Sequence, residues 1–156
     1  MEYDERLRVP LRWWVQGTML IASLWLAVVV AVPATPAGFA TSGAVTAVAL
    51  AAMVGLFSSL AARVTVADGV LTAGKAHISV THLGRAEALD ADRARAVAGP
   101  EADARAFLLL RPYLKTAVRV ELTDPADPTP YWLIHTRHPQ HLVAALERAA
   151  AAVPHA

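Results

Sequence analysis

The sequence predicts an α+β membrane protein in which a two-helix transmembrane hairpin precedes a β-rich domain closed by a C-terminal helix. Three observations carry this. Of the 156 residues 56% are apolar and only 17% charged, and the mean hydropathy of +0.41 is high for a water-soluble domain. All 27 charged side chains, 14 Lys plus Arg and 13 Asp plus Glu, lie in residues 2–12 or 63–148, so positions 13–62 carry none. Beyond residue 63 the apolar period changes from that of a helix to the alternation of strands. A formal net charge of +1 leaves no basic excess for a nucleic-acid backbone, and zero cysteines exclude disulfides, thiolate metal sites and cysteine catalysis.

Residues 1–12 read as a cytoplasmic N-terminal segment and 13–62 as the hairpin. Span 13–32 has Gln16 as its only strongly polar member, and at about 1.5 Å rise per residue it crosses a hydrocarbon core of about 30 Å. Span 43–62 carries only Thr46, Ser58 and Ser59 as hydroxyls, which can bond back to their own helix. Between them, the loop 33–42 holds Pro33, Pro36 and Gly38, which end one helix and permit a tight return.

Orientation follows from the cations. Arg6, Arg8 and Arg12 precede the first span, Arg63 and Lys75 follow the second, and the loop has none, which places both termini on the cytoplasmic side of the inner (plasma) membrane. Trp13 and Trp14 stand where an interfacial aromatic anchor belongs. A cleaved secretory signal fits less well, because the apolar run exceeds the usual length and three acids stand in the leader.

Small residues recur at four-residue steps, at Gly43, Ala47, Ala51, Gly55 and Ser59 in the second span and at Ser23, Ala27 and Ala31 in the first. Such stripes let helix backbones approach closely. A short loop makes the two spans neighbours, so the stripes are expected to pack them on each other, the alternative being a seam for other spans in a membrane complex. No ionisable residue lies inside either span, so the usual marker of an ion or proton path is missing.

The remaining residues, 63–156, read as the cytoplasmic domain. Val64 and Val66 alternate with Thr65 and Ala67 ahead of Asp68-Gly69, a strong hairpin signal, and Gly74-Lys75 breaks the chain before Ala76, Ile78 and Val80. Residues 85–106 are alanine-rich with nine charges and fit a short helix, an irregular strand or a loop equally. Further strands are expected at 107–110, at 117–122, where Val118, Val120 and Leu122 alternate with Arg119 and Glu121, and at 131–135. The intervening TDPADPTP lacks three backbone donors and reads as an ordered hairpin loop. A helix over 139–153 begins with Pro139, ends before Pro154, and presents Leu142, Ala145, Leu146, Ala149 and Val153 on one face. This element order is that of a pleckstrin-homology-like antiparallel half barrel, an analogy that leaves function open.

Two stretches carry a resemblance. Leu110-Arg111-Pro112-Tyr113-Leu114-Lys115-Thr116-Ala117-Val118-Arg119-Val120, and Asp124 through Leu133 followed by Thr136-Arg137, together with the opening Tyr3-Asp4-Glu5-Arg6-Leu7, resemble an actinobacterial family of two-span membrane proteins. It is known as a domain of unknown function, number three-zero-nine-three. The resemblance implies a membrane protein without an assigned activity, and a small hydroxyl residue where this chain has His135.

For chemistry the sequence offers little. Gly69 to Lys75 spells G-x-x-x-x-G-K, but Ala76 replaces the magnesium-binding hydroxyl and strand-like residues occupy the place of the required helix, so no nucleotide is expected. His135, His138 and His141 stand three apart, yet Pro139 interrupts the helix that would align them, and no metal or other cofactor is expected. Arg111, Tyr113, Lys115 and Arg119 gather cations beside an apolar strand pair, with Lys115 and Arg119 on one face if the strand reaches that far. Of Tyr131 and Trp132, alternation exposes one, which with Arg137 would make a docking patch. These seven residues are the expected binding surface of a non-enzymatic module that holds a protein partner or an anionic lipid at the bilayer. The alternatives are a small membrane enzyme or enzyme subunit built on His135 or His138, and a structural subunit of a membrane complex.

Overall fold

The computed structural model of the chain describes residues 3–152. Arg8–Ala61 form one compact unit, and the described residues on either side of it form the other.

The first unit is a helical hairpin of α1 (Leu11–Ala31) and α2 (Pro36–Leu60), both long and apolar enough to cross a membrane. Helix α1 stops because Val32 precedes Pro33 and is held extended, at ψ 138°. The expected loop 33–42 is corrected to four residues, 32–35. Thr35 caps α2 by accepting the Gly38 N–H at 3.1 Å, and Pro36 opens the helix at a position whose missing N–H has no intrahelical partner anyway. Gly38 is obligatory at this corner, since a Cβ there would lie 2.1 Å from the Pro33 carbonyl oxygen. Thr18, Thr41, Ser42 and Thr46 each return their hydroxyl to the carbonyl four residues back, leaving no unpaired donor on these side chains.

The helices meet through Gly17, where a Cβ would stand 2.6 Å from Met53 Sδ, and through Trp14, edge-on to Phe57 at 4.9 Å. The buried positions of α2 are Gly38, Ser42 and Phe57. This corrects the expected use of the small-residue stripes: Gly43, Ala47, Ala51, Gly55 and Ser59 are exposed, and a Cβ at Gly43 or Gly55 would meet nothing within 4 Å. Ser23, Ala27 and Ala31 are exposed as well. The contact uses aromatic, sulfur and glycine surfaces one helical step away.

The second unit has two four-stranded sheets. The first, in order β1-β2-β3-β4, comprises β1 (Tyr3–Leu7), β2 (Ala62–Ala67), β3 (Val70–Ala73) and β4 (Ala76–Ser79), all antiparallel. Asp68 and Gly69 both adopt positive φ, 54° and 71°, as the two-residue turn requires. The second sheet, in order β5-β7-β8-β6, comprises β5 (Leu83–Leu89), β6 (Phe107–Leu109), β7 (Ala117–Leu122) and β8 (Tyr131–His135). Residues 85–106 resolve into most of β5, then α3 (Ala91–Ala98), capped by Asp90 Oδ1 on the Asp92 and Arg93 N–H groups, then a turn-rich connection. Helix α4 (Pro139–Ala152) follows β8; Val153 and Pro154 lie outside the described residues.

Two further expectations are corrected. The N-terminal segment is not separate from the domain: β1 lies along β2, with Leu7 opposite Ala62 and Tyr3 opposite Val66. Nor is the domain wholly antiparallel, because the connection through α3 returns β6 parallel to β8.

The second sheet is covered on both faces. Val118, Val120, Trp132 and Ile134 pack with Leu7, Val64, Val66 and Leu71 of the first sheet and with Leu142, Ala145 and Leu146 of α4. Ala117, Tyr131 and Leu133 pack on the opposite side with Leu89 and with Ala94 and Val97 of α3. A strand buried on both sides is apolar throughout, as Tyr131-Trp132-Leu133-Ile134 is.

Candidate functional site

One end of the β domain gathers side chains from three distant segments. Alternation turns Tyr3, Glu5 and Leu7 of β1 to the interior, and Glu5 is a buried carboxylate. Burying it is tolerable only because its oxygens are occupied. Tyr3 Oη donates to Oε2 at 2.7 Å, Thr136 Oγ1 donates to the same oxygen at 2.5 Å, and the Arg137 N–H donates to Oε1 at 3.1 Å. The Arg137 guanidinium stands 3.7 Å from Oε1 and also donates to the Arg6 carbonyl at 3.4 Å. Burial raises the Tyr3 hydroxyl well above its ordinary range, so it stays protonated as a donor.

Thr136 ties this cluster to the 111–116 segment. Its N–H donates to the Thr116 carbonyl at 3.2 Å and its carbonyl accepts from Thr116 Oγ1 at 2.6 Å. A second clasp joins His135 Nδ1 to the backbone of Arg111, 3.1 Å from its N–H and 3.0 Å from its carbonyl. Burial lowers the His135 pKa, which favours the neutral ring; Nδ1 accepts the Arg111 N–H in one neutral tautomer and donates to the Arg111 carbonyl in the other. Tyr113 is buried with the Arg137 guanidinium 6.0 Å above its ring, and desolvation raises its hydroxyl pKa.

Four of the expected residues therefore come together: Arg111, Tyr113, Lys115 and Arg137. The other three do not join them as a surface. The expectation that either Tyr131 or Trp132 is accessible is corrected, since both are buried, the reason being that both faces of the second sheet are covered. Tyr131 Oη accepts the Asp103 N–H at 3.0 Å, and Trp132 packs on Phe107 at 4.7 Å. Arg119 lies over the Tyr131 ring at 4.5 Å, and β7 starts at Ala117, so Lys115 stands outside the strand face that Arg119 occupies. Sequence reasoning missed Tyr3, Glu5 and Thr136. The period-two spacing of Tyr3, Glu5 and Leu7 signals the first two, though a glutamate at an inward position hides it, and no spacing signals Thr136.

Beside the clasp, a cleft of about 460 Å³ opens between α3 and the segment before β7, with Arg95, Lys115 and His135 in its wall. Lys115 is exposed and has no ion pair among the described residues, while Arg95 makes an exposed pair with Asp92 at 3.3 Å. The histidines diverge in role: His135 binds backbone, and His138 and His141 stack on each other at 5.6 Å. Among the described residues no three His, Asp or Glu side chains are grouped to hold a metal ion. The G-x-x-x-x-G-K run is the β3–β4 hairpin, with Gly74 at φ 68° in the turn and no helix after it.

No curated protein and no solved structure matches the chain. A family model described as "Protein of unknown function (DUF3093)" matches residues 2–146, a stretch that takes in the hairpin, both sheets and the three segments joined at Glu5 and Thr136, and the chain belongs to that family.

Proposed function

We propose that the chain is a non-enzymatic module held at the cytoplasmic face of the plasma membrane by its helical hairpin, where the 111–116 and 135–137 segments engage an anionic lipid head group. One observation carries the reading. The two segments are clasped by the His135–Arg111 and Thr116–Thr136 hydrogen bonds, so exposed Lys115 and Arg137, with half-buried Arg111 beside them, stand at a preorganised end of the domain. The anchor is short-tethered at both ends, since residues 8–10 alone join β1 to α1 and Ala61 alone joins α2 to β2.

Topology is the first test. The chain has no cysteine of its own, so single introduced cysteines report cleanly. In intact cells Ala34→Cys should be labelled by an impermeant maleimide and Gln140→Cys protected; the reverse pattern overturns the orientation. Binding is the second test. The full chain in mixed phosphatidylcholine and phosphatidylglycerol nanodiscs should retain phosphatidylglycerol in native mass spectra, and Lys115→Glu with Arg137→Gln should lose it. Unchanged retention removes the assigned surface.

A further inference from the structure

We propose that the cleft between α3 and the segment preceding β7 is a binding site for a phosphate-bearing anion, held by Arg95, Lys115 and His135. The inference rests on the reading above that this end of the domain takes an anionic ligand. It adds α3, which that reading does not use, and it narrows the ligand to a phosphate group.

Size comes first. The cleft of about 460 Å³ is within the range of small-molecule sites. Its room comes from α3, whose Ala91, Ala94 and Ala98, with Gly99 behind them, present almost no side-chain bulk to it.

Charge comes second. The wall holds two cations and an imidazole and no carboxylate. Lys115 has no ion pair among the described residues, and the Arg95–Asp92 pair, with side chains 77% and 93% exposed, is one that a ligand displaces at little cost. Some arginines elsewhere in the domain are paired, Arg63 with Asp4, Arg93 with Glu101 and Arg105 with Asp103.

Donor geometry comes third. His135 Nδ1 is committed to the Arg111 backbone, so Nε2 is the ring nitrogen left for a ligand, and it is a donor in the tautomer whose Nδ1 accepts the Arg111 N–H. Helix α3, the 112–115 segment and the end of β8 thus contribute one donor group each. Donors from three separate elements suit a tetrahedral phosphate, with three oxygens to occupy, better than a planar carboxylate. A nucleobase would want an aromatic wall, and among the described residues the imidazole of His135 is the one aromatic ring in this lining.

The phosphate can belong to a lipid or to a soluble molecule, and the experiment separates them. The full-length chain is placed in phosphatidylcholine nanodiscs with its histidine rings labelled for NMR. In one arm inorganic phosphate is titrated in and the His135 resonances followed; in the other, phosphatidic acid is included and lipid adducts are counted by native mass spectrometry. Saturable His135 shifts in the first arm support the site with a soluble source; phosphatidic acid adducts alone support it with a lipid source. In either case Arg95→Ala and Lys115→Ala should each weaken binding about tenfold, and Lys115→Arg should restore most of it. Both residues are exposed, so these variants keep the fold, and unchanged amide spectra outside the cleft check that. Absence of binding in both arms, or binding indifferent to Arg95→Ala, overturns the site. Failure of the two readings is distinguishable. Phosphatidylglycerol retention that survives Arg95→Ala leaves the membrane-module reading standing without this cleft, whereas Gln140→Cys labelled from outside removes that reading and leaves phosphate binding to be judged by itself.

Discussion

The hairpin and the β domain solve opposite burial problems with chain of similar hydrophobicity at many positions. In the hairpin, α1 buries no residue and α2 only three, while Leu20 and Val30 remain 72% and 79% exposed. In the domain even a carboxylate, Glu5, and a threonine, Thr136, are buried, each with its hydrogen bonds supplied. The contrast teaches where each part finds its stability. The domain carries its own solvent-free interior, and the hairpin presents an apolar exterior suited to a surrounding hydrocarbon.

The largest effects that sharpen this contrast lie in the twice-covered sheet. Ile134→Ala should destabilise the domain by about 3 kcal/mol, read as a shifted denaturation midpoint with loss of amide-exchange protection in β7 and β8, whereas Leu20→Ala should leave exchange in both helices unchanged. A comparable response at both positions breaks the distinction. Next is Glu5→Ala, which strands the Tyr3, Thr136 and Arg137 donors; it should cost about 2–3 kcal/mol and release exchange in β1 first, with Glu5→Gln costing less.

Within the hairpin the order should follow what a methyl group meets. Gly38→Ala forces apart the 32–35 corner and should cost about 1–3 kcal/mol of helix-pair stability in detergent, while Gly55→Ala, with nothing to meet, should be neutral or gain up to about 1 kcal/mol.

The smallest effect concerns pH. Burial depresses the His135 pKa below its ordinary value of 6.5, so the unfolded chain takes up this proton more readily than the folded one. The stabilisation is complete above 6.5 and is lost as the pH falls from there through the depressed folded value. His135→Gln should flatten that part of the stability profile, and a profile unchanged by the substitution breaks the assignment.

What was legible in the sequence followed from single-period signals. The charge-free stretch gives the two helices, Asp68-Gly69 gives the first hairpin, and the spacing of Leu142, Ala145, Leu146 and Ala149 gives the buried face of α4. What was not legible depends on which surfaces meet. Alternation could not expose Tyr131 or Trp132, because α3 covers the face that a two-layer reading leaves open, though four apolar residues in succession are themselves the mark of a strand buried twice. Pro36 reads as a breaker until Thr35 is recognised as the cap before it. The stripe of small residues obeys helical spacing and still faces away from α1, since Trp14, Gly17, Met53 and Phe57 make the closer fit. As for the candidate site, its cations were visible as a cluster, but the clasp that orders them comes from Glu5 and Thr136, which pair across 131 positions of chain.

The pairing of β1 with β2 sets an order of events during synthesis. Strand β1 leaves the ribosome before either apolar helix, and its partner β2 follows only after both. The first sheet therefore cannot close until the whole hairpin has been made. Until then β1 is an orphan strand holding an unpaired glutamate, so completion of the domain becomes a report that both helices have been synthesised in full.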